Sequence, residues 1–140
     1  MPEHRITVIL DTNVFIAAYW SPRSASARII GMCIQGRLQA QYTPQIEREA
    51  LKMLRKAQTS DAYIRSLEDF WARAEEVQPV PSESVRTEDP DDQKFLEAAM
   101  GGETDFLVTN DDHLLSIGYV GRTEILPPVS VLKMLGLQAN

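Results

Sequence analysis

Residues 6–13, Ile6-Thr7-Val8-Ile9-Leu10-Asp11-Thr12-Asn13, pass from an unbroken run of apolar and β-branched side chains to an acid and two small polar residues. The run is too short and too uniformly apolar for an amphipathic helix, so it reads as a strand buried on both faces, of the kind found inside a parallel sheet. Asp11 then stands at the carboxyl end of that strand. A second run has the same ending: Asp105-Phe106-Leu107-Val108-Thr109 delivers Asn110-Asp111-Asp112. Shorter strands are expected at Gln39 to Tyr42 and Thr123 to Leu126. Helical patterns separate them: Val14 to Trp20, about Ser24 to Gly36, and Pro44 to about Ala57 with Thr43 as its cap. Further helices are expected over Ser60 to Glu76, Pro90 to Met100 stopped by Gly101-Gly102, and Val129 to Leu135 stopped by Gly136. Gln78 to Val85, carrying Pro79 and Pro81, reads as an extended connector. Strands alternating with helices predict an α/β sandwich with a mainly parallel central sheet, whose site lies beyond the carboxyl ends of the strands.

The chain has 140 residues, the length of one compact domain able to bury a core without disulfides. Its single cysteine, Cys33, falls in the apolar stripe of a predicted helix and reads as packing. No apolar run approaches bilayer length and the N-terminus does not read as an export signal, so a reducing cytoplasmic location is expected, with no membrane partner. The net charge of −6 argues against a protein that grips nucleic acid by bulk positive charge. Much of that excess is local: between Glu83 and Asp92, five acids (Glu83, Glu88, Asp89, Asp91, Asp92) face only Arg86. Such a concentration is either a solvated loop or part of a site for a hard cation.

Helical phase separates inward acids from decorative ones, because an amphipathic helix keeps carboxylates off its apolar stripe. On the helix opened by Pro44, Glu49 lies three residues after Ile46 and four before Met53, at the edge of the stripe. Asp92 lies three, four and seven residues before Phe95, Leu96 and Ala99, which places it on the inward side of its first turn. Asp91 also meets Phe95 at a spacing of four and stays open as an alternative. Inward carboxylates need partners. Asp11, Glu49, Asp92 and Asp111 meeting at one end of the sheet would recruit a divalent ion, and an all-oxygen donor set favours Mg²⁺ or Mn²⁺. Asn13 and Thr109 could add neutral oxygens. Arg48, Lys52, Arg55 and Lys56 recur at helical spacing, either as a solvated face or as a track for a phosphate backbone.

The chain resembles the PIN domain family, and within it a toxin-like branch related to VapC-type ribonucleases. The matching pieces are Leu10-Asp11-Thr12-Asn13-Val14-Phe15, Glu49 within Glu47-Arg48-Glu49-Ala50-Leu51, and Asp89-Pro90-Asp91-Asp92-Gln93-Lys94-Phe95-Leu96-Glu97-Ala98-Ala99. Leu107-Val108-Thr109-Asn110-Asp111-Asp112-His113-Leu114-Leu115 and Leu126-Pro127-Pro128 follow in the same order. The resemblance implies a three-layer α/β/α sandwich, a single PIN-like domain over residues 1–140, and an acidic quartet of Asp11, Glu49, Asp92 and Asp111. It selects Asp111 over Asp112. It further implies a ribonuclease hydrolysing phosphodiester bonds of single-stranded RNA with one or two Mg²⁺ or Mn²⁺ ions. A homodimer and an antitoxin protein partner come with it. Thr12, Asn13, Thr109 and Asn110 would support the ligands or the substrate.

The plainer alternatives have their own residues. Asp11 could merely cap the next helix, Glu49 pair with Lys52, and Asp92 complement a helix dipole. Trp20, Phe70 and Trp71 read as core or dimer contacts, His113 as a surface imidazole, and His4 as part of a loose terminus. A phosphatase of the haloacid dehalogenase type would need a second Asp where Asn13 stands and a Lys after a late strand. A metal-free interaction module keeping the same fold is the remaining rival.

Overall fold

The computed structural model describes residues 5–81 and 89–136. The elements in chain order are β1 (Thr7–Leu10), α1 (Thr12–Trp20), α2 (Ala25–Ile34), β2 (Gln39–Tyr42), α3 (Pro44–Lys56), α4 (Asp61–Ser66), α5 (Glu68–Arg73) and β3 (Glu75–Glu76). After them come α6 (Pro90–Gly102), β4 (Phe106–Val108), α7 (Asp112–Leu115), β5 (Tyr119–Val120), β6 (Thr123–Leu126) and α8 (Pro128–Met134). Glu83, Arg86 and Glu88, the second half of the predicted connector, and His4 lie outside the described residues.

The strands form one sheet in the order β3-β2-β1-β4-β6-β5, parallel except for the antiparallel pair β5 and β6. β1 sits in the middle, with Val8, Ile9 and Leu10 opposite Phe106, Leu107 and Val108 of β4. Side chains alternate across it. Val8 and Leu10 join a core with residues of α1, α2, α5 and α8 on one face, while Ile9 joins Phe95, Leu96, Ala98 and Ala99 of α6 and Leu114 of α7 on the other. That is the expected three-layer α/β/α sandwich.

Local signals fix most boundaries. Thr43 Oγ1 accepts from the Ile46 amide at 3.2 Å, and Pro44 opens α3 behind it. Ser24 does the same for α2, accepting from the Ala27 amide at 3.3 Å.

Two expectations fail for identifiable reasons. The helix expected over Ser60 to Glu76 is divided into α4 and α5, and the chain ends that stretch as strand β3. The break falls at Leu67, whose amide is shared between the carbonyls of Tyr63 and Ile64 at 3.3 and 3.1 Å, a tightened turn that sends Leu67 and Phe70 into the core. Glu75 and Glu76 then satisfy the open edge of β2, pairing with Gln41 and Tyr42. Gly101 and Gly102 do not stop α6; they lie within it, and the left-handed residue that ends it is Glu103 at φ 46°. The glycines answer to neighbours: a Cβ on Gly101 would sit 1.6 Å from the Gln78 carbonyl oxygen, and one on Gly102 would sit 2.6 Å from Gln41 Oε1. The four-residue α7 and the strand β5 are additions that the sequence patterns did not announce.

Candidate active site

The order of the sheet reverses beside β1: the chain leaves β1 for β2 and β3 on one side and returns to β4 on the other. Neighbouring loops at such a switch point diverge and leave a crevice at the carboxyl ends of the strands. Asp11 follows β1 and Asp111 follows β4 at this place. Asp11 is 5% exposed and occupies the cap position of α1, yet its side chain makes no capping hydrogen bond. Its Oδ2 instead accepts from Thr109 Oγ1 at 2.7 Å, and that same hydroxyl oxygen accepts from the Asp111 amide at 2.9 Å. Thr109, fully buried, therefore ties the two strand ends together.

Asp92 reaches the same place from the first turn of α6. It is buried, whereas Asp91 is exposed, so the two acids left open by helical phase are separated by accessibility. Asp89 caps that helix by accepting from the Asp91 amide at 2.9 Å. The charge of Asp111 is felt at the Asp92 carboxyl. Asp111 Oδ1 also accepts from the His113 amide at 3.0 Å, capping α7.

The acids strain against each other electrostatically. Asp92 is pushed up to about 6, first by burial and then by the charges of Asp111, Asp89 and Asp11. Burial also raises Asp11; the Thr109 hydrogen bond opposes it, the Asp111 charge adds to it, and the nearby amides of Thr12 and Asn13 again oppose it. Among the described residues, no Lys or Arg bridges Asp11, Asp92 or Asp111.

Glu49 is held differently. Its Oε2 lies 2.7 Å from Lys94 Nζ and accepts from Thr12 Oγ1 at 3.4 Å. The partner anticipated for a merely structural Glu49 was Lys52, which is exposed on the same helix. Lys94 was missed as a site residue. Its signal was partial: Lys94 stands four residues before Ala98 on a largely apolar helix, a spacing that puts the two on one face.

The other candidates fall in two groups. Thr12 is buried next to Asp11, while Asn13, Asn110 and Asp112 are exposed around the rim. Arg48, Lys52, Arg55 and Lys56 all lie exposed on α3. Phe70 and Trp71 pack with Phe15 in an aromatic cluster, and Trp20 is 63% exposed against Tyr19. Cys33 is buried, which pushes its thiol up to about 12.

In kind and in sign the three aspartates suit a hard divalent cation: oxygen donors only, mutually repelling, and without a basic partner. Among the described residues, no three His, Cys, Asp or Glu side chains are drawn together closely enough to enclose an ion as they stand.

In this doubly wound α/β/α sheet, acids follow both central strands at the switch point. The PIN domain family model matches residues 7–113, and the chain belongs to that family. PIN domains are generally metal-dependent nucleases, often ribonucleases of toxin-antitoxin systems. No curated protein and no solved structure matches the chain. Among the described residues, no helix is long and apolar enough to cross a membrane.

Proposed function

We propose that the protein is an Mg²⁺- or Mn²⁺-dependent endoribonuclease that hydrolyses single-stranded RNA, with Asp11, Asp92 and Asp111 as the metal-holding acids and Glu49 as the fourth member of the site. What supports this reading is that Asp11, Asp92 and Asp111 lie within electrostatic reach of one another at the β1/β4 switch point, with no Lys or Arg pairing with them among the described residues. When bound, the ion supplies an activated water and neutralises charge on the phosphate.

The chain's own groups do the rest. Thr109 fixes the orientation of Asp11 and the position of the Asp111 amide. Asp92 and Asp111 would hold the ion, whose charge would offset the repulsion between them. Glu49 is placed by Lys94 and Thr12 to orient the attacking water or take its proton. Arg48, Lys52, Arg55 and Lys56 present a basic face on α3 along which a phosphate backbone can run. In the cell the reading extends to the toxin component of a toxin-antitoxin pair, acting as a cytoplasmic homodimer restrained by an antitoxin protein, as is frequent among relatives of this fold.

The test is incubation of labelled single-stranded RNA with Mn²⁺ and wild-type protein beside Asp11→Asn. Cleavage by the wild type alone is expected. Cleavage that survives the substitution overturns the mechanism. A second reading, a PIN-fold interaction module without catalysis, is favoured by one feature, the lysine inside the acidic site; absence of both Mn²⁺ binding and cleavage in the wild type would select it.

A further inference from the structure

Lys94 is only 8% exposed, and burying an ammonium is costly unless each donor finds a partner. It finds several. Nζ donates to the Asp91 carbonyl at the start of its own helix, pairs with Glu49 Oε2 at 2.7 Å, and lies 5.0 Å from the centre of the Phe95 ring. Anchored to the first turn of α6, the ammonium cannot follow Glu49 elsewhere without giving up the Asp91 carbonyl. Glu49 is equally restrained, because the same oxygen takes the Thr12 hydroxyl at 3.4 Å. Were Glu49 needed only as a solvated rim acid, Lys52 on its own helix would suffice; the fold uses instead a buried lysine from the helix that carries Asp92. The chain Lys94, Glu49, Thr12 thus joins α6, α3 and α1 immediately beside Asp11 and Asp92.

We propose that Lys94 is a positioning residue that keeps Glu49 off the ion, so that the three aspartates carry the metal and Glu49 is left facing water and substrate. This rests on the metal-dependent reading above and divides its four acids into two roles. Removal of the ammonium frees a carboxylate that can enter the metal shell and displace a water.

The experiment is Mn²⁺ binding followed by water-proton relaxation, which reports affinity and the number of waters on the ion, for wild type, Asp92→Asn, Glu49→Gln, Lys94→Met and the Lys94→Met/Glu49→Gln double variant. Asp92→Asn is expected to lose affinity more than about 100-fold, beyond the range typical of a residue outside the ligand set, and Glu49→Gln to lose no more than about 100-fold, with an unchanged water count. Lys94→Met is expected to bind Mn²⁺ more tightly with about one water fewer, and adding Glu49→Gln to restore the wild-type count. A Glu49→Gln variant that gains a water, or weakens binding as far as Asp92→Asn does, makes Glu49 a direct ligand and overturns the proposal. So does a Lys94→Met variant whose water count stays at the wild-type value. If Lys94→Met does not fold, Glu49→Gln alone decides by the same two readings. Failure of the wild type to bind Mn²⁺ is a separate result, which removes the metal-dependent reading and this division with it.

Discussion

The two ends of the sheet are built from similar residues and handled in opposite ways. At the amino ends of the strands, Asp105 Oδ2 accepts from the Thr7 amide and hydroxyl at 2.9 and 3.2 Å, and Oδ1 pairs with Arg122 at 2.6 Å. Beside it Gln41 donates to Glu75 at 2.8 Å and accepts from Thr104 at 2.6 Å. There, each buried polar group has been given a complementary neighbour. At the carboxyl ends, Asp11 accepts from Thr109 and Asp111 from the His113 amide, but among the described residues neither they nor Asp92 pairs with a Lys or Arg. Polar groups matched with partners add to stability, whereas like charges gathered at low exposure subtract from it and are tolerated where an incoming ion or substrate will complete them.

Four changes, of decreasing expected size, break or sharpen that contrast. Asp111→Asn is expected to lower Mn²⁺-dependent RNA cleavage about 10³-fold, the several kcal/mol of charge stabilisation that a metal supplies, while circular dichroism shows the fold retained. Mn²⁺ at about 100 times its dissociation constant is expected to stabilise the wild type by ~2.7 kcal/mol in thermal unfolding, an effect that EDTA reverses and Asp111→Asn abolishes. At the other end, Asp105→Ala is expected to cost about 2 kcal/mol in denaturant unfolding, because the Thr7 amide and the Arg122 guanidinium lose their acceptor; cleavage per folded molecule is expected to stay at the wild-type level.

The smallest effect is a pH dependence. Asp92 is raised from 3.8 to about 6 in the folded state, so the folded protein holds that proton more tightly than the unfolded chain does. The stability it contributes is complete below about pH 4 and is lost as pH rises through about 6, and Asp11, raised as well, acts in the same direction. Metal-free wild type is therefore expected to lose on the order of 1 kcal/mol more than Asp92→Asn between pH 4 and 7, measured as diverging melting temperatures. Parallel melting curves would mean that the carboxylates at this end are as well matched as those at the other.

Which parts of this were legible in the sequence follows from how local their causes are. The central strands, the Thr43-Pro44 helix start and the inward phase of Asp92 depend on residues within a turn or two of one another, and they could be read directly. The family resemblance, rather than spacing, separated Asp111 from Asp112; in the structure Asp112 is exposed, while the charge of Asp111 acts on both Asp11 and Asp92. What could not be read depends on contacts distant in sequence. The break at Leu67 serves a core assembled from α1, α2 and β2, strand β3 exists because β2 has an open edge, and the Lys94 partner lies on another helix.

Gly101 shows where that leads for anyone altering the protein. Replacing a glycine inside a helix with alanine is ordinarily worth about 1 kcal/mol in its favour. Gly31, in α2, has no neighbouring atom within 4 Å of where a Cβ would go, so a combinatorial library screened for heat resistance should accept alanine there. The same library should reject it at 101, where the strand of chain crossing above, and not the helix, decides which amino acid can be accommodated.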